Sequence, residues 1–220
     1  MFYTLVFKKD KNCPTFIDGV IHESFSPGAY EDAMDADWHD AGPDEALAPL
    51  PKKLVLITKD KRYDFDFCTA FEGHIVSERF LKAFQTLKTS RWEIAELEIV
   101  NPKGGSVAQR QYFFMRQQRI DKEPVDVIDQ TQSNINFRAS GEIKNIISLT
   151  IKENISTDFF CIDEITLLGF VFLSPHAATA LKELNLVGAE VVGTEKVGSI
   201  DRAEAPLSMQ VITLFPISGR

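Results

Sequence analysis

Two stretches of the chain, 75–87 and 172–184, carry the same pattern of apolar and polar positions. When Ser77 is aligned with Ser174, the apolar positions that follow keep a spacing of four and then three residues. The aligned pairs are Phe80 with Ala177, Ala83 with Ala180, Phe84 with Leu181 and Leu87 with Leu184. This spacing is typical of one face of an amphipathic helix, so the pattern predicts the same helix twice.

A serine precedes each predicted helix, and a short apolar run precedes each serine. The serine hydroxyl can accept a hydrogen bond from a free backbone N–H at the helix start, and Pro175 suits the first helical position. Further apolar stretches lie upstream of both serines and downstream of both helices, at 66–68 and 158–161 and at 95–96 and 189–190. We therefore predict a strand, strand, helix, strand unit in two copies. A separation of about ninety residues is too long for a solenoid and favours a duplicated half-domain.

The other apolar segments are short and rich in β-branched and aromatic residues, which is typical of strands. They include 2–8, 54–58, 63–67, 92–99, 112–116, 147–151, 170–173 and 211–215. In the segment 92–99, Trp92 and Ile94 differ in parity from Ala95, Leu97 and Ile99, which predicts a bulge near Ile94.

Because the strands come in runs and only two helices interrupt them, the sequence predicts an α+β fold with mainly antiparallel sheets. We divide the chain into an N-terminal strand and long acidic loop, 1–52, a first half-domain, 53–140, and a second half-domain, 141–220. The two half-domains, 53–220, are expected to form one compact unit.

The acidic residues are concentrated in one part of the chain. From Asn12 to Pro51, called the acidic segment below, there are nine Asp or Glu and no Lys or Arg, so the rest of the chain adds +1 to a total charge of −8. Its prolines and glycines and its lack of a sustained period predict a long loop, with one helical turn around Tyr30 to Ala36. An acidic surface repels nucleic-acid phosphates and attracts basic proteins, so we expect a protein partner with a basic surface and no nucleic acid.

The sequence carries no recognisable catalytic or metal-binding set. None of the four histidines lies at metal-ligand spacing from another histidine or a cysteine, and no two of the three cysteines form a redox or zinc motif. Ser77 lacks the flanking glycines of a nucleophile elbow and recurs as Ser174, which favours helix capping. We therefore expect no cofactor, no metal and no enzymatic activity.

No apolar run approaches the ~20 residues that a membrane span needs, and the first residues lack the pattern of a signal peptide. We expect a soluble cytoplasmic protein without membrane contact.

Three stretches together resemble a family of bacterial immunity proteins. They are the run Ile75 to Arg79, the segment Tyr112 to Ser133, and the second helix with its ending at Leu186 to Gly188. The resemblance is to the eleventh immunity family of polymorphic toxin systems, formerly a domain of unknown function, and it spans about residues 50 to 195. It implies a small cytoplasmic protein that binds and neutralises a cognate toxin, generally encoded beside it. Pro175 and His176 depart from the family pattern, and Phe2 to Pro51 has no counterpart in it.

With this resemblance, we place the toxin-facing surface in the acidic segment. The predicted partner-binding residues are Asp32, Asp35, Asp37, Trp38 and Asp40, with Trp38 as an aromatic anchor among steering charges. A solvated loop without a partner is the alternative interpretation of these residues.

Two other classes of function stay open. A hydrolase-like enzyme with a dispersed active site would gather His74 or His176 with a carboxylate in a deep polar pocket. A structural subunit built on sheet edges would form a stable homo-oligomer.

Overall fold

The structure, a computed structural model, describes residues 1–31, 36–39 and 47–199. Within these residues it has twelve β-strands and two α-helices. The strands are β1 Tyr3–Phe7, β2 Gly19–His22, β3 Lys53–Thr58, β4 Phe67–Ala70, β5 Gly73–Ser77, β6 Glu93–Val100, β7 Tyr112–Arg116, β8 Asn134–Phe137, β9 Ile143–Ser148, β10 Phe159–Phe160, β11 Phe172–Leu173 and β12 Ala189–Gly193. The helices are α1 Glu78–Phe84 and α2 Pro175–Glu183. Five short 3₁₀ segments are Ala29–Glu31, Arg119–Asp121, Val125–Val127, Ile165–Leu167 and Thr194–Ser199.

The strands form three sheets. A six-stranded sheet has the order β2-β3-β6-β7-β5-β4, a four-stranded sheet has the order β10-β11-β1-β12, and β8 pairs with β9. Every pair of neighbouring strands is antiparallel except β3 with β6, which is parallel. The predicted α+β class with mainly antiparallel pairing is confirmed.

The two halves of the chain share one arrangement of elements. The order β4, β5, α1, β6 in the first half matches β10, β11, α2, β12 in the second. In each sheet one more strand lies between the second and third strands of the unit and is antiparallel to both. This strand is β7 in the six-stranded sheet and β1, from the N-terminal segment, in the four-stranded sheet. β7 follows β4, β5, α1 and β6 along the chain, whereas β1 precedes β10, β11, α2 and β12. The two sheets therefore have the same strand arrangement with this one strand moved from the end of the unit to its beginning, as in a circular permutation.

Both helices begin with the same cap. The Ser77 hydroxyl accepts the Phe80 N–H at 3.3 Å and donates to the Asp66 carboxylate at 2.7 Å. Ser174 likewise accepts the Ala177 N–H at 3.2 Å and donates to Asp158 at 2.5 Å. Each serine is therefore the N-cap that the sequence predicts. The structure adds an aspartate that orients each serine hydroxyl.

The same two aspartates join the halves reciprocally. The backbone N–H of Asp66 donates to the Val187 carbonyl at 2.8 Å, and the Val187 N–H donates back to the Asp66 carboxylate at 2.8 Å. Asp158 makes the matching pair with Lys88, at 2.6 Å and 3.1 Å. Val187 follows α2 and Lys88 follows α1, so each aspartate holds the chain just past the other half's helix. We call these four hydrogen bonds the reciprocal aspartate contacts.

One apolar cluster contains side chains from both halves. It includes Phe80, Leu81 and Phe84 of α1, Ala177, Ala178 and Leu181 of α2, and Leu5, Val76, Met115, Phe159 and Leu173 from the two larger sheets. Phe159 of the second half meets Phe84 edge to face, with ring centroids 5.1 Å apart. Because such contacts bury large apolar surfaces, this cluster stabilises the two halves against each other.

Three strand predictions need correction. No bulge occurs at Ile94, because β6 and β7 pair in continuous register and Trp92 precedes the strand, so its parity carries no information. Pairing in the predicted strand 63–67 begins only at Phe67, since Tyr63 makes an isolated bridge with Ala108. The acidic segment, predicted as a loop, contains β2. The predicted strand 211–215 lies outside the described residues.

The Asp66 carboxylate is fully buried and accepts five hydrogen bonds. Besides Ser77 and Val187, its donors are Arg79, through Nε at 2.6 Å and through Nη2, and Arg110 Nη1 at 2.6 Å. Burial acts to raise the pKa of this carboxyl, but the hydrogen bonds from Arg79, Val187 and Ser77 outweigh it and hold the pKa below its usual value of 3.8.

Replacing Asp66 by asparagine is expected to lower the free energy of unfolding at neutral pH by about 2–4 kcal/mol, because charge-assisted bonds are lost and the two arginines, which are partly exposed, regain only some hydration. The wild-type carboxylate contributes its stability above the unfolded pKa, and this contribution is lost as the pH falls through the lower folded-state pKa. Urea unfolding at a series of pH values checks both effects: the stability of Asp66→Asn should fall less steeply below about pH 4 than that of the wild type.

Glu153→Gln, at an exposed position, is the control and should reproduce the wild-type curve. Parallel curves for Asp66→Asn and wild type would contradict a role for the buried charge.

Candidate functional site

The structure describes two of the five predicted partner-binding residues, Asp37 and Trp38. Asp37 is exposed, whereas the Trp38 side chain is only 3% exposed and packs in an apolar cluster that includes Ile21, Leu54 and Leu97. This placement corrects the expectation of an aromatic anchor at the surface, because a buried indole offers a partner no contact area in this conformation. The other three predicted residues, Asp32, Asp35 and Asp40, lie outside the described part. Whether the set binds a partner stays a prediction.

A buried arginine fastens the acidic segment to the six-stranded sheet. Arg116, at the end of β7, is 4% exposed and donates from Nη1 to the Trp38 carbonyl and from Nη2 to the Ala48 carbonyl at 2.7 Å. Its Nε donates to the Glu93 carboxylate at 2.9 Å, which neutralises the charge across β6 and β7. The guanidinium group therefore holds two points of the acidic segment on the sheet with two of its nitrogens, while the third binds Glu93.

A second side chain and one backbone bond complete this anchor. Gln118 donates from Nε2 to the Leu47 carbonyl at 3.2 Å and to the Glu93 carboxylate at 3.0 Å. The Ala48 N–H donates to the Asp37 carbonyl at 3.1 Å. This hydrogen bond joins residues 36–39 to the stretch that begins at residue 47. We call Glu93, Arg116 and Gln118 the anchor. Sequence reasoning did not identify it, because no spacing connects these residues to Trp38 or Ala48.

The described part of the acidic segment also presents charge to solvent. Its exposed carboxylates are Asp18, Glu23, Glu31 and Asp37. The Tyr30 hydroxyl donates to Asp18 at 2.7 Å, and this hydrogen bond raises the pKa of the tyrosine. One cation lies nearby, the Lys59 ammonium, 4.1 Å above the centre of the Tyr30 ring.

The enzyme hypothesis requires a histidine beside a carboxylate in a deep polar pocket. His74 has an aromatic ring and a threonine hydroxyl as its neighbours instead. This imidazole stacks on Phe67, with ring centroids 5.0 Å apart, and its Nδ1 lies 3.1 Å from the Thr69 hydroxyl. Burial lowers its pKa to about 3, so the ring is neutral at physiological pH. His176 is exposed at the start of α2. Ser77 caps α1, which confirms the capping role predicted for it over that of a nucleophile.

Two open cavities are lined by polar side chains but contain neither histidine. A cavity of about 420 Å³ is lined by Ser77, Glu78, Arg79, Arg110 and Gln111, whose arginines already bind Asp64 and Asp66. A cavity of about 220 Å³ is lined by eight residues, Glu123, Asp126, Val127, Lys152, Asn154, Ile155, Ser156 and Thr157.

All three cysteine thiols have a raised pKa. Burial raises the pKa of both Cys68 and Cys161 to about 12, so both are protonated at neutral pH. Across residues 1–31, 36–39 and 47–199, no three His, Cys, Asp or Glu side chains are grouped so that they could hold a metal ion. In the same ranges, no helix has both the length and the apolar character to cross a membrane.

Comparison with known protein families places the chain among the immunity proteins. The family model of Immunity protein 43 matches residues 6–199, and the chain belongs to this family. The resemblance to an immunity protein is thus confirmed, and the matched family carries the number 43 where the sequence resemblance indicated the eleventh. The match includes the acidic segment, for which that resemblance had no counterpart. No curated protein sequence matches the chain.

Replacing Arg116 by methionine is expected to lower the free energy of unfolding by about 3–5 kcal/mol, because Glu93 stays buried without its cation and the carbonyls of Trp38 and Ala48 lose their donor. Denaturant unfolding, followed by circular dichroism, measures this loss. The matched control is Lys53→Met, which removes an exposed ion pair with Glu96 at 3.4 Å and should cost no more than about 1 kcal/mol. Equal losses in the two variants would contradict the anchor.

Proposed function

We propose that this chain binds and neutralises one cognate bacterial toxin by direct protein–protein contact, in the cytoplasm of the bacterium that makes both. The observation that carries the proposal is the match to an immunity protein family over residues 6–199. The toxin is proposed to belong to a polymorphic toxin system and to be encoded beside this chain. Neutralisation is proposed to result from occupancy of the toxin and not from turnover of a substrate.

The proposed toxin-facing surface lies on the acidic segment, and the toxin surface opposite it is proposed to be basic. Asp32, Asp35, Asp37 and Asp40 supply the steering charge in this proposal, and Trp38 supports the surface from beneath. Two observations favour this location: the exposed carboxylates of the described part and the anchor that fixes the segment on the sheet. Because the anchor holds Trp38 and Ala48 on the sheet, the described part of this surface loses less conformational entropy when a complex forms.

Co-expression with the toxin domain encoded next to this gene is expected to restore growth, and the two proteins should form a complex on size-exclusion chromatography. Because attraction between opposite charges is screened by salt, affinity should fall by about ten-fold or more between about 50 and about 300 mM salt. Titration calorimetry at each salt concentration measures the effect.

The variant Asp37→Lys should bind more weakly and show a smaller salt dependence, whereas Glu153→Lys, an exposed charge reversal outside the acidic segment, should match the wild type. Growth rescue without a detectable complex would contradict direct binding. A complex whose affinity does not change with salt concentration would contradict a basic surface on the partner.

A further inference from the structure

Among the described residues, the outer edge of β2 in the acidic segment has no paired strand. β2 is the terminal strand of the six-stranded sheet and pairs through residues 19–22 with residues 55–58 of β3 on one side only. On its other side, no described residue exchanges a backbone hydrogen bond with β2. In an antiparallel pair, alternate residues direct their N–H and C=O groups outward, so two residues of β2 present unpaired donors and acceptors.

The two ends of this edge carry the same pair of features. An exposed carboxylate adjoins each end, Asp18 before the strand and Glu23 after it. Two residues beyond each carboxylate lies a partly exposed aromatic ring, Phe16 at 56% and Phe25 at 36%. Phe25 is held against the turn at Gly104, whose Cβ position would lie 3.1 Å from the ring. Charge and apolar surface therefore flank the backbone edge at both ends.

We infer that the toxin adds an extended segment to the outer edge of β2, with basic side chains opposite Asp18 and Glu23. This inference rests on the proposed function and names its mode of contact. Backbone groups of the added strand would pair with the free N–H and C=O groups of β2, and the flanking acids would select a basic segment and accelerate its encounter. The aromatic rings at the two ends supply apolar contact beside the charged groups.

The charges of Asp18 and Glu23 favour a basic segment over a second copy of the chain, and they distinguish the edge of β2 from the other strand edges. A second copy of the chain would bring the same two carboxylates against each other, and like charges directly opposite are destabilising. The other edge strands have different neighbours. β4 lies between buried Asp66 and partly buried Phe71, β8 between Ser133 and Arg138, and β12 between Gly188 and Thr194. β9 lies between exposed Glu142 and buried Leu149, and β10 between Asp158 and Cys161. Of these edges in the described part, that of β2 alone has an exposed acid at both ends.

Amide hydrogen exchange, measured by mass spectrometry or NMR on the full chain with and without the neighbouring toxin domain, tests the inference. The outward N–H groups of residues 19–22 should exchange about ten-fold or more slowly in the complex. The amides of β12, an edge strand of the other large sheet, are the internal control and should keep their free-state rates. A complex that leaves the exchange of β2 unchanged overturns this inference but not the proposed function, whereas the absence of any complex overturns both.

Charge-reversal variants test the role of the flanking acids. The double variant Asp18→Lys with Glu23→Lys should associate with the toxin domain about ten-fold more slowly at low salt, while Glu153→Lys with Glu183→Lys, both exposed in the free chain, should stay within about two-fold of wild type. Equal rates for the two double variants overturn the steering role. Sedimentation of the free chain should show a monomer, and a homodimer with slowed exchange in β2 would assign the edge to a second copy instead.

Discussion

The burial of the Asp66 carboxylate is the constraint on which the arrangement of this molecule depends. A buried charge is costly unless donors surround it, and the donors here come from the start of α1, from the loop before β7 and from the backbone after α2. One side chain thus fixes the relative positions of elements that are more than a hundred residues apart in the chain. Asp158 occupies the equivalent place in the second half and holds Ser174 and Lys88 in the same geometry. The internal duplication therefore preserves the means by which the two halves are joined, and not only their helices.

Features set by neighbouring residues could be predicted from the sequence. The two helices and their serine caps depend on the spacing of apolar residues and on one hydroxyl group, both of which are local. The class of the fold and the class of the protein could also be inferred.

Features set by distant pairing could not be predicted. β2 has only two apolar residues and a glycine, so it becomes a strand because β3, more than thirty residues later, supplies its ladder. The acidic residues around Trp38 in the sequence suggest an exposed side chain. In the structure, Arg116 binds the Trp38 carbonyl and the indole packs in the apolar cluster of the six-stranded sheet. The anchor was not identifiable for the same reason, because a buried arginine in a strand resembles any other basic residue until its acceptors are known. The bulge expected at Ile94 does not form: Trp92 precedes the strand, and Ile94 is an apolar residue on the exposed face of β6, opposite the buried Ala95 and Leu97.

The position of β1 has a consequence for how the chain is made. β1 is the third strand of a sheet whose other members all come from the last third of the chain, and the Thr4 hydroxyl bonds a carbonyl 167 residues further on. During synthesis on the ribosome, Leu5 and Val6 are made long before β11 and β12, the two strands with which β1 pairs. The nascent chain must therefore keep an apolar strand from pairing wrongly while the residues between β1 and β11 are made, and the native sheet can close only after β12 has left the exit tunnel.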